Sequence, residues 1–198
     1  STSGLGTKAA RKAIADAGLE PKDLDFIIFA TLSPDYYFPG PGVQVQENLG
    51  IDTIGALDVR NQCSGFIYGL SVADHFIKTG MYKNVLLIGS ELHNGGLEKT
   101  TRGKGVSVIV GDGAGAVVLQ ASDDQSKGVL TTKLHSEGKH AKELAFLGPA
   151  TDRWVDRIIE ENDPDDMSYY PYMNGNFVFK HAVTRFQEVI VEALTEVN

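Results

Sequence analysis

The stretch Asp58-Val59-Arg60-Asn61-Gln62-Cys63-Ser64-Gly65-Phe66-Ile67-Tyr68-Gly69-Leu70-Ser71-Val72-Ala73 changes its hydrophobic period partway along. Ile54 to Val59 is a short apolar run of strand character. From Cys63 onward, Phe66, Ile67, Leu70, Ala73, Phe76 and Ile77 recur at helical spacing until Gly80 stops the pattern. A strand feeding straight into a largely buried helix is the repeating unit of an α/β sheet protein. The one cysteine of the chain stands at that junction.

Working outward, the same alternation continues. Upstream, Leu5, Ala9, Ala13 and Ala17 step by four through an amphipathic helix over residues 3–17, closed by Gly18. After the Pro21-Lys22-Asp23 turn, Phe26-Ile27-Ile28-Phe29-Ala30 is a continuous apolar run, the mark of a strand buried on both faces. Residues 33–42 form a Pro- and aromatic-rich loop whose exposed rings suit a lid or an interface. Pro41 then opens a short helix that ends at Gly50. Downstream, Val85 to Ile88 is a third buried strand. Two more strands are expected at Val106–Val110 and Ala116–Leu119, joined by a tight turn over Gly111-Asp112-Gly113-Ala114-Gly115. A further strand is expected from Gly128 to His135. Beyond it lies a polar, irregular stretch with a helix around Trp154–Glu161 and an acidic turn at Asp163–Asp166, and then an amphipathic helix over Phe177–Val197. The expected class is α/β with layered packing on a mainly parallel sheet.

Composition narrows the function. The 198 residues carry Lys+Arg 18 against Asp+Glu 26, a formal net charge of −8, with 42% hydrophobic residues. That balance excludes nucleic-acid binding through a basic field, and no apolar stretch is long enough to span a bilayer. One cysteine excludes an internal disulfide framework and any multi-cysteine metal site, and suits a reducing cytoplasm.

Cys63 is the main candidate for chemistry. Opening that largely buried helix, it meets unpaired N–H groups and partial positive charge that favour thiolate over thiol, and Ser64 and Gly65 leave the sulfur unobstructed. The alternative is a buried cysteine acting as a small hydrophobe. The glycines of residues 111–115 do not make a phosphate loop, because a β-branched strand follows them and no P-loop lysine is present. They read as a turn beside a crowded site. His75, His93, His135, His140 and His181 show no spacing that brings any of them to Cys63, and no ligand spacing points to a metal. Glu160-Glu161 and Asp165-Asp166 read as solvated charge.

Taken together, DVRNQCSGFIYGLSVA (58–73), VLLIGS (85–90) and GDGAGAV (111–117) resemble the β-ketoacyl-acyl-carrier-protein synthase III family of the thiolase-like superfamily. Weaker matches lie at Phe38-Pro39, Leu134 to Gly138 and MNGNFVFK (173–180). The resemblance implies a Claisen condensation. Cys63 takes an acyl group from acyl-CoA, and malonyl-acyl-carrier protein loses CO2 so that its carbanion attacks the acyl-cysteine. The Cys63 N–H serves as an oxyanion donor. No cofactor is implied beyond the CoA thioester itself.

The resemblance also implies that Phe38 reaches into a partner subunit's acyl tunnel in a homodimer. It places Arg102 against the CoA adenine, and Gly175 and Phe179 along the pantetheine channel. Gly111, Asp112, Gly113 and Gly115 become structural support near the site. Residues 1–122 correspond to the first thiolase-like half without its first strand, and 123–198 to an insertion and the start of the second half. The family's His, in a Pro-His-Gln-Ala-Asn-type passage, and its Asn, in a His-Gly-Asn-type passage, have no counterpart in this sequence. The expectation is therefore a piece of a longer synthase, aggregation-prone alone or dependent on a partner. Rival readings on the same scaffold are a non-catalytic partner subunit, ester or amide formation, and head-to-head condensation; a nucleotide-binding domain is a fourth. An acidic carrier protein needs a basic patch, for which Lys78, Lys83, Lys99, Arg102 and Lys104 are candidates.

Overall fold

A computed structural model describes residues 1–124, 126–148 and 170–197. Two compact units emerge, one of Ser1–Leu92 with Asp112–Leu134, the other of His93–Gly111 with His135–Asn198. In the first unit the apolar runs form strands β1 (Phe26–Ala30), β2 (Gly55–Val59), β3 (Asn84–Glu91) and β4 (Gly113–Gln120). Their order in the sheet is β2-β1-β3-β4, with β2, β1 and β3 parallel and β4 antiparallel to β3.

The helices of this unit are α1 (Thr2–Asp16), α2 (Pro41–Leu49) and α3 (Gly65–Lys78). The chain steps from β1 to β2 through α2, then back across β1 to β3 through α3. Right-handed crossovers in opposite directions put the two helices on opposite faces. Accordingly Ala10, Ile14, Val45 and Leu49 of α1 and α2 pack with Ile27, Phe29, Leu86 and Ile88. On the other face, Ala73 of α3, flanked by Phe66 and Leu70, packs with Ile28, Val85 and Leu87. Full burial of a large side chain such as Ile27, Phe29, Leu86 or Ile88 stabilises the fold by roughly 1.5–3 kcal/mol. Alternation along β1 thus feeds both cores, as a strand covered on both sides requires.

Gly50, in the left-handed region at φ 74°, closes α2, and its N–H bonds Gln46 and Glu47 carbonyls. The α3 helix approaches the sheet along Gly65, Gly69 and Ala73, all buried. Gly69 has to be glycine-sized: a Cβ there would lie 2.6 Å from Leu87 Cδ1.

The second unit contains the short helix α4 (Lys104–Ser107), the two-stranded pair β5 (Leu144–Ala145) and β6 (Tyr172–Met173), and the helix α5 (Gly175–Val197). Two expectations from sequence fail. Residues 106–110 are not a strand: Lys104–Ser107 is helical, only Val106 is buried, and Val108 and Ile109 are exposed. β-branched residues favour a strand only where a neighbouring edge exists, and the edge of β3 is taken by β4. Residues 128–135 form no strand either. Thr132 Oγ1 bonds Ser71 Oγ at 2.9 Å and Lys78 Nζ reaches the Val129 carbonyl at 3.4 Å, which ties this extended segment to α3. The helix expected at Trp154–Glu161 and the turn at Asp163–Asp166 lie outside the described residues. No helix among the described residues is long and apolar enough to cross a membrane.

Candidate active site

Parallel strands present their carboxyl ends together, and it is there that α/β sheets bind ligands. β1 ends at Ala30, β2 leads into Cys63, and β3 ends at Gly89-Ser90-Glu91. The antiparallel register then sets Gly115 opposite Gly89, Ala114 opposite Ser90 and Gly113 opposite Glu91. A cleft of about 220 Å³ opens at this end, lined by Ala30, Gln62, Cys63, Phe66, Gly89, Ser90, Glu91, Gly113, Ala114 and Gly115. Residues about fifty positions apart in the chain, Cys63 and the glycines 113 and 115, therefore share one wall because β3 and β4 pair.

Cys63 does not open α3 as the sequence implied. It sits one step earlier, in a 3-10 turn over Gln62–Ser64, with the helix proper starting at Gly65. Gln62 is the cause: its φ of 48° is the one positive value among the described non-glycine residues, and it turns the chain sharply between strand and helix. Such a backbone state costs of order 1–3 kcal/mol and is common where a side chain must be aimed. Ser64, the residue before α3, spends its hydroxyl on Asn61, accepting from Nδ2 at 3.0 Å and donating to the carbonyl at 3.1 Å. The Cys63 thiol is free and exposed.

The residues 111–115 are not a turn with unusual backbone angles. Gly113 and Gly115 are strand residues of β4, and the positive-φ glycines are Gly18, Gly50, Gly80 and Gly128. Pairing with β3 holds them extended. Their contribution is room, since a Cβ on Gly113 or Gly115 would meet nothing within 4 Å. Gly111 belongs to the second unit and Asp112 to the first.

Glu91 was missed by sequence reasoning, although a carboxylate closing an apolar strand at the site end is a signal. It accepts from Leu32 N–H at 2.8 Å, Thr31 Oγ1 at 3.1 Å and Ser33 Oγ at 2.5 Å. Ser33 Oγ in turn accepts from Leu92 N–H at 3.0 Å. Both carboxylate oxygens are thus committed to fixing the segment after β1. The same segment carries Asp35, which accepts from Thr2 N–H at 2.5 Å and from the Ser3 N–H and hydroxyl, placing negative charge at the α1 N-terminus. On the far edge, Asp58 of β2 accepts from Gly42 N–H in the first turn of α2 at 2.8 Å. Desolvation there pushes the Asp58 carboxyl above its usual range, and the Gly42 bond opposes it. Phe38 stands 77% exposed with Tyr36 and Tyr37 beside it, as an exposed aromatic loop was expected to.

In the second unit, Arg102 Nε donates to both Glu98 oxygens at 2.9 Å, and its guanidinium lies over the Tyr170 ring at 5.4 Å. Hydrogen bonds from Thr100 and then Arg102 hold the Glu98 carboxyl below its usual range. Gly175 begins α5, and Phe179 one turn later is 70% exposed. Of the lysines and arginine considered for a basic patch, Lys78 is paired with Asp74 at 2.7 Å and Arg102 with Glu98. No histidine lines the cleft. His75 Nδ1 lies 2.7 Å from the Ser71 carbonyl, and His135 is paired with Glu192 at 2.6 Å. Spacing gave no hint that Glu137, His140 and His181 converge, with one ligand atom from each lying within 4.8 Å of the others.

Comparison with known proteins agrees with this geometry. The 3-oxoacyl-[acyl-carrier-protein] synthase III family matches residues 57–138, a range that includes Cys63, α3, β3 and β4. The β-ketoacyl-[acyl-carrier-protein] synthase III of Rhizorhabdus wittichii is 42% identical over 195 residues, covering 98% of this chain and 56% of that protein. That of Aliivibrio fischeri is 43% identical over 188 residues, 95% of this chain and 55% of its own length. The crystal structure of 3-oxoacyl-[acyl-carrier-protein] synthase III from Aquifex aeolicus superposes with a TM-score of 0.83 at 36% identity, over 100% of this chain and 57% of that one. The chain thus spans a little over half the length of the relatives it matches. Sequence and fold together make the chain similar to β-ketoacyl-[acyl-carrier-protein] synthase III over nearly its whole length.

Proposed function

We propose that this chain supplies the acyl-accepting machinery of an acyltransferase that starts chain synthesis by Claisen condensation. The observation that carries the reading is the free Cys63 thiol, exposed on a cleft between the ends of β1, β2 and β3. The Cys63 sulfur attacks the thioester carbonyl of acyl-CoA and an S–C bond forms. The tetrahedral oxyanion is met by the Cys63 backbone N–H, and CoA thiolate leaves with the proton. Malonyl-acyl-carrier protein then loses CO2; its carbanion forms a C–C bond to the acyl carbonyl and expels the Cys63 thiolate. No cofactor enters either step.

Phe38, exposed at its loop tip, is the residue to contact a second copy in a homodimer. Arg102 stacks on the CoA adenine, and Gly175 and Phe179 border the pantetheine. Cytoplasmic placement, where a lone thiol stays reduced, fits this chemistry. Condensation further requires a His and an Asn to hold the carbanion, from passages absent from this sequence. Intact mass after incubation with acetyl-CoA and longer acyl-CoAs tests the reading. Wild type gains one acyl group and Cys63→Ser gains none, because an unassisted hydroxyl is a far weaker nucleophile. Equal labelling of both chains, or no labelling of wild type, refutes it.

A further inference from the structure

The convergence of Glu137, His140 and His181 in the second unit is independent of Cys63 and is not used in the proposed reaction. Glu137 and His140 are the two ends of one 3-10 turn, closed by the His140 N–H to Glu137 carbonyl bond at 3.0 Å. Positions three apart in such a turn eclipse, so both side chains leave it on the same side, with Glu137 Oε2 4.0 Å from His140 Nε2. His181 comes from α5. Its ring is stacked on Phe177, one turn earlier, at 4.0 Å between centroids, and the His140 ring meets it edge-on at 4.8 Å. Aromatic packing thereby holds the two imidazoles beside one another.

The surrounding charges leave the carboxylate available. Arg185 Nη2 holds Glu137 Oε1 at 2.5 Å, while its Nη1 is taken by Glu188 at 2.6 Å. One carboxylate oxygen is therefore oriented from behind, as the outer partners of metal ligands are, and the other faces the imidazoles. Lys139 is the further cation near Glu137.

We propose that Glu137, His140 and His181 bind one Zn²⁺-type ion that fastens the 137–140 turn to α5, with water completing the coordination. Two imidazoles and a carboxylate are borderline donors suited to Zn²⁺. Tetrahedral bonds of about 2.0–2.1 Å put ligand atoms about 3.3 Å apart. From the present spread of up to 4.8 Å, closure needs about 1.5 Å (4.8 − 3.3), within reach of side-chain rotation.

The test uses the whole chain carrying Cys63→Ser, so that the thiol cannot bind the probe. Titration with Co²⁺ is followed by the visible d–d bands of a four-coordinate ion, and Zn²⁺ then displaces it. One ion per chain is expected, bound at least about tenfold more weakly by His140→Ala and by His181→Ala, with His75→Ala unchanged as a control on α3. His181→Gln keeps the ring site filled with a polar side chain, and a native far-UV spectrum of that variant separates ligand loss from misfolding. Absence of the four-coordinate spectrum, or His140 and His181 variants that bind as tightly as the parent, overturns the proposal.

Discussion

The position of Cys63 depends on how closely α3 lies against the sheet, and Gly69→Ala measures that distance energetically. The added Cβ would stand 2.6 Å from Leu87 Cδ1 and 3.2 Å from Ile28 Cγ2, both on side chains with no exposure. Carbon atoms rest at about 3.5 Å or more, so the helix and Leu87 must separate by about 0.9 Å (3.5 − 2.6). Overpacking of this kind costs about 1–3 kcal/mol. Alanine recovers up to about 1 kcal/mol through its better helix propensity. The net expectation is a loss of about 1 kcal/mol, rising to about 3 kcal/mol for Gly69→Val, which adds two methyls and a β-branch. Urea midpoints from far-UV circular dichroism at low chain concentration read these values. Gly105→Ala in α4 is the control, because nothing lies within 4 Å of its Cβ. If Gly69→Ala raises the midpoint as Gly105→Ala does, α3 is not held by close approach. Alkylation kinetics at Cys63 give the functional readout: Gly69→Val moves the turn that carries the thiol and should change the rate, whereas Gly105→Ala should not.

Asp35→Ala removes the carboxylate that caps α1 and should cost about 1–2 kcal/mol by urea denaturation; a loss near zero would show that Ser1, which also accepts from the Gly4 N–H, suffices. Glu98 has a depressed folded pKa, so its stabilising contribution is complete above the unfolded value of 4.5 and is lost as pH falls through the lower folded value. Glu98→Gln should therefore flatten the acid limb of stability below pH 4.5, and an unchanged limb would refute this. On α5, Phe179, Phe186, Ile190 and Val191 are each more than half exposed, so the chain alone should self-associate as its concentration rises. Phe186→Lys with Ile190→Lys should shift its sedimentation profile toward monomer, and an unaltered profile would place the association elsewhere.

The elements legible in the sequence are those whose signal is local. The apolar run 26–30, the four-residue steps of the first helix and the Gly50 and Gly80 stops each report chain conformation without help from distant residues. Residues 106–110 misled because β-branched composition describes a surface to pack on, and the edge of β3 is paired with β4. The 128–135 segment misled in the same way. The site was half legible. Cys63 at a strand-to-helix junction could be read directly, but its 3-10 turn depends on the positive φ of Gln62, which no propensity announces. The 111–115 glycines were recognised as adjacent to the site for the wrong reason: they are close because β4 runs antiparallel to β3, a pairing between residues about two dozen positions apart. Glu91 depends on such tertiary contacts, as does the meeting of His181 with the Glu137–His140 turn.

In the proposed reaction the two half-reactions ask different things of the protein. Acylation needs a thiol at the carboxyl ends of parallel strands, an amide to receive the oxyanion and space beside it. The thiol and the space beside it come from residues at the ends of β1, β2 and β3 and the starts of α3 and β4, within one unit. Glu91, the one carboxylate on the cleft among the described residues, has both oxygens engaged by Thr31, Leu32 and Ser33, so it acts as a post for the loop rather than as a base. Among the described residues no other carboxylate and no histidine lines the cleft to assist a carbanion next to an acyl-cysteine. The chain should accordingly take up one acyl group and then stall. Malonyl-acyl-carrier protein should be left unconsumed, and release of CO2 in step with loss of the acyl group would show that carbanion stabilisation arises from residues outside this account.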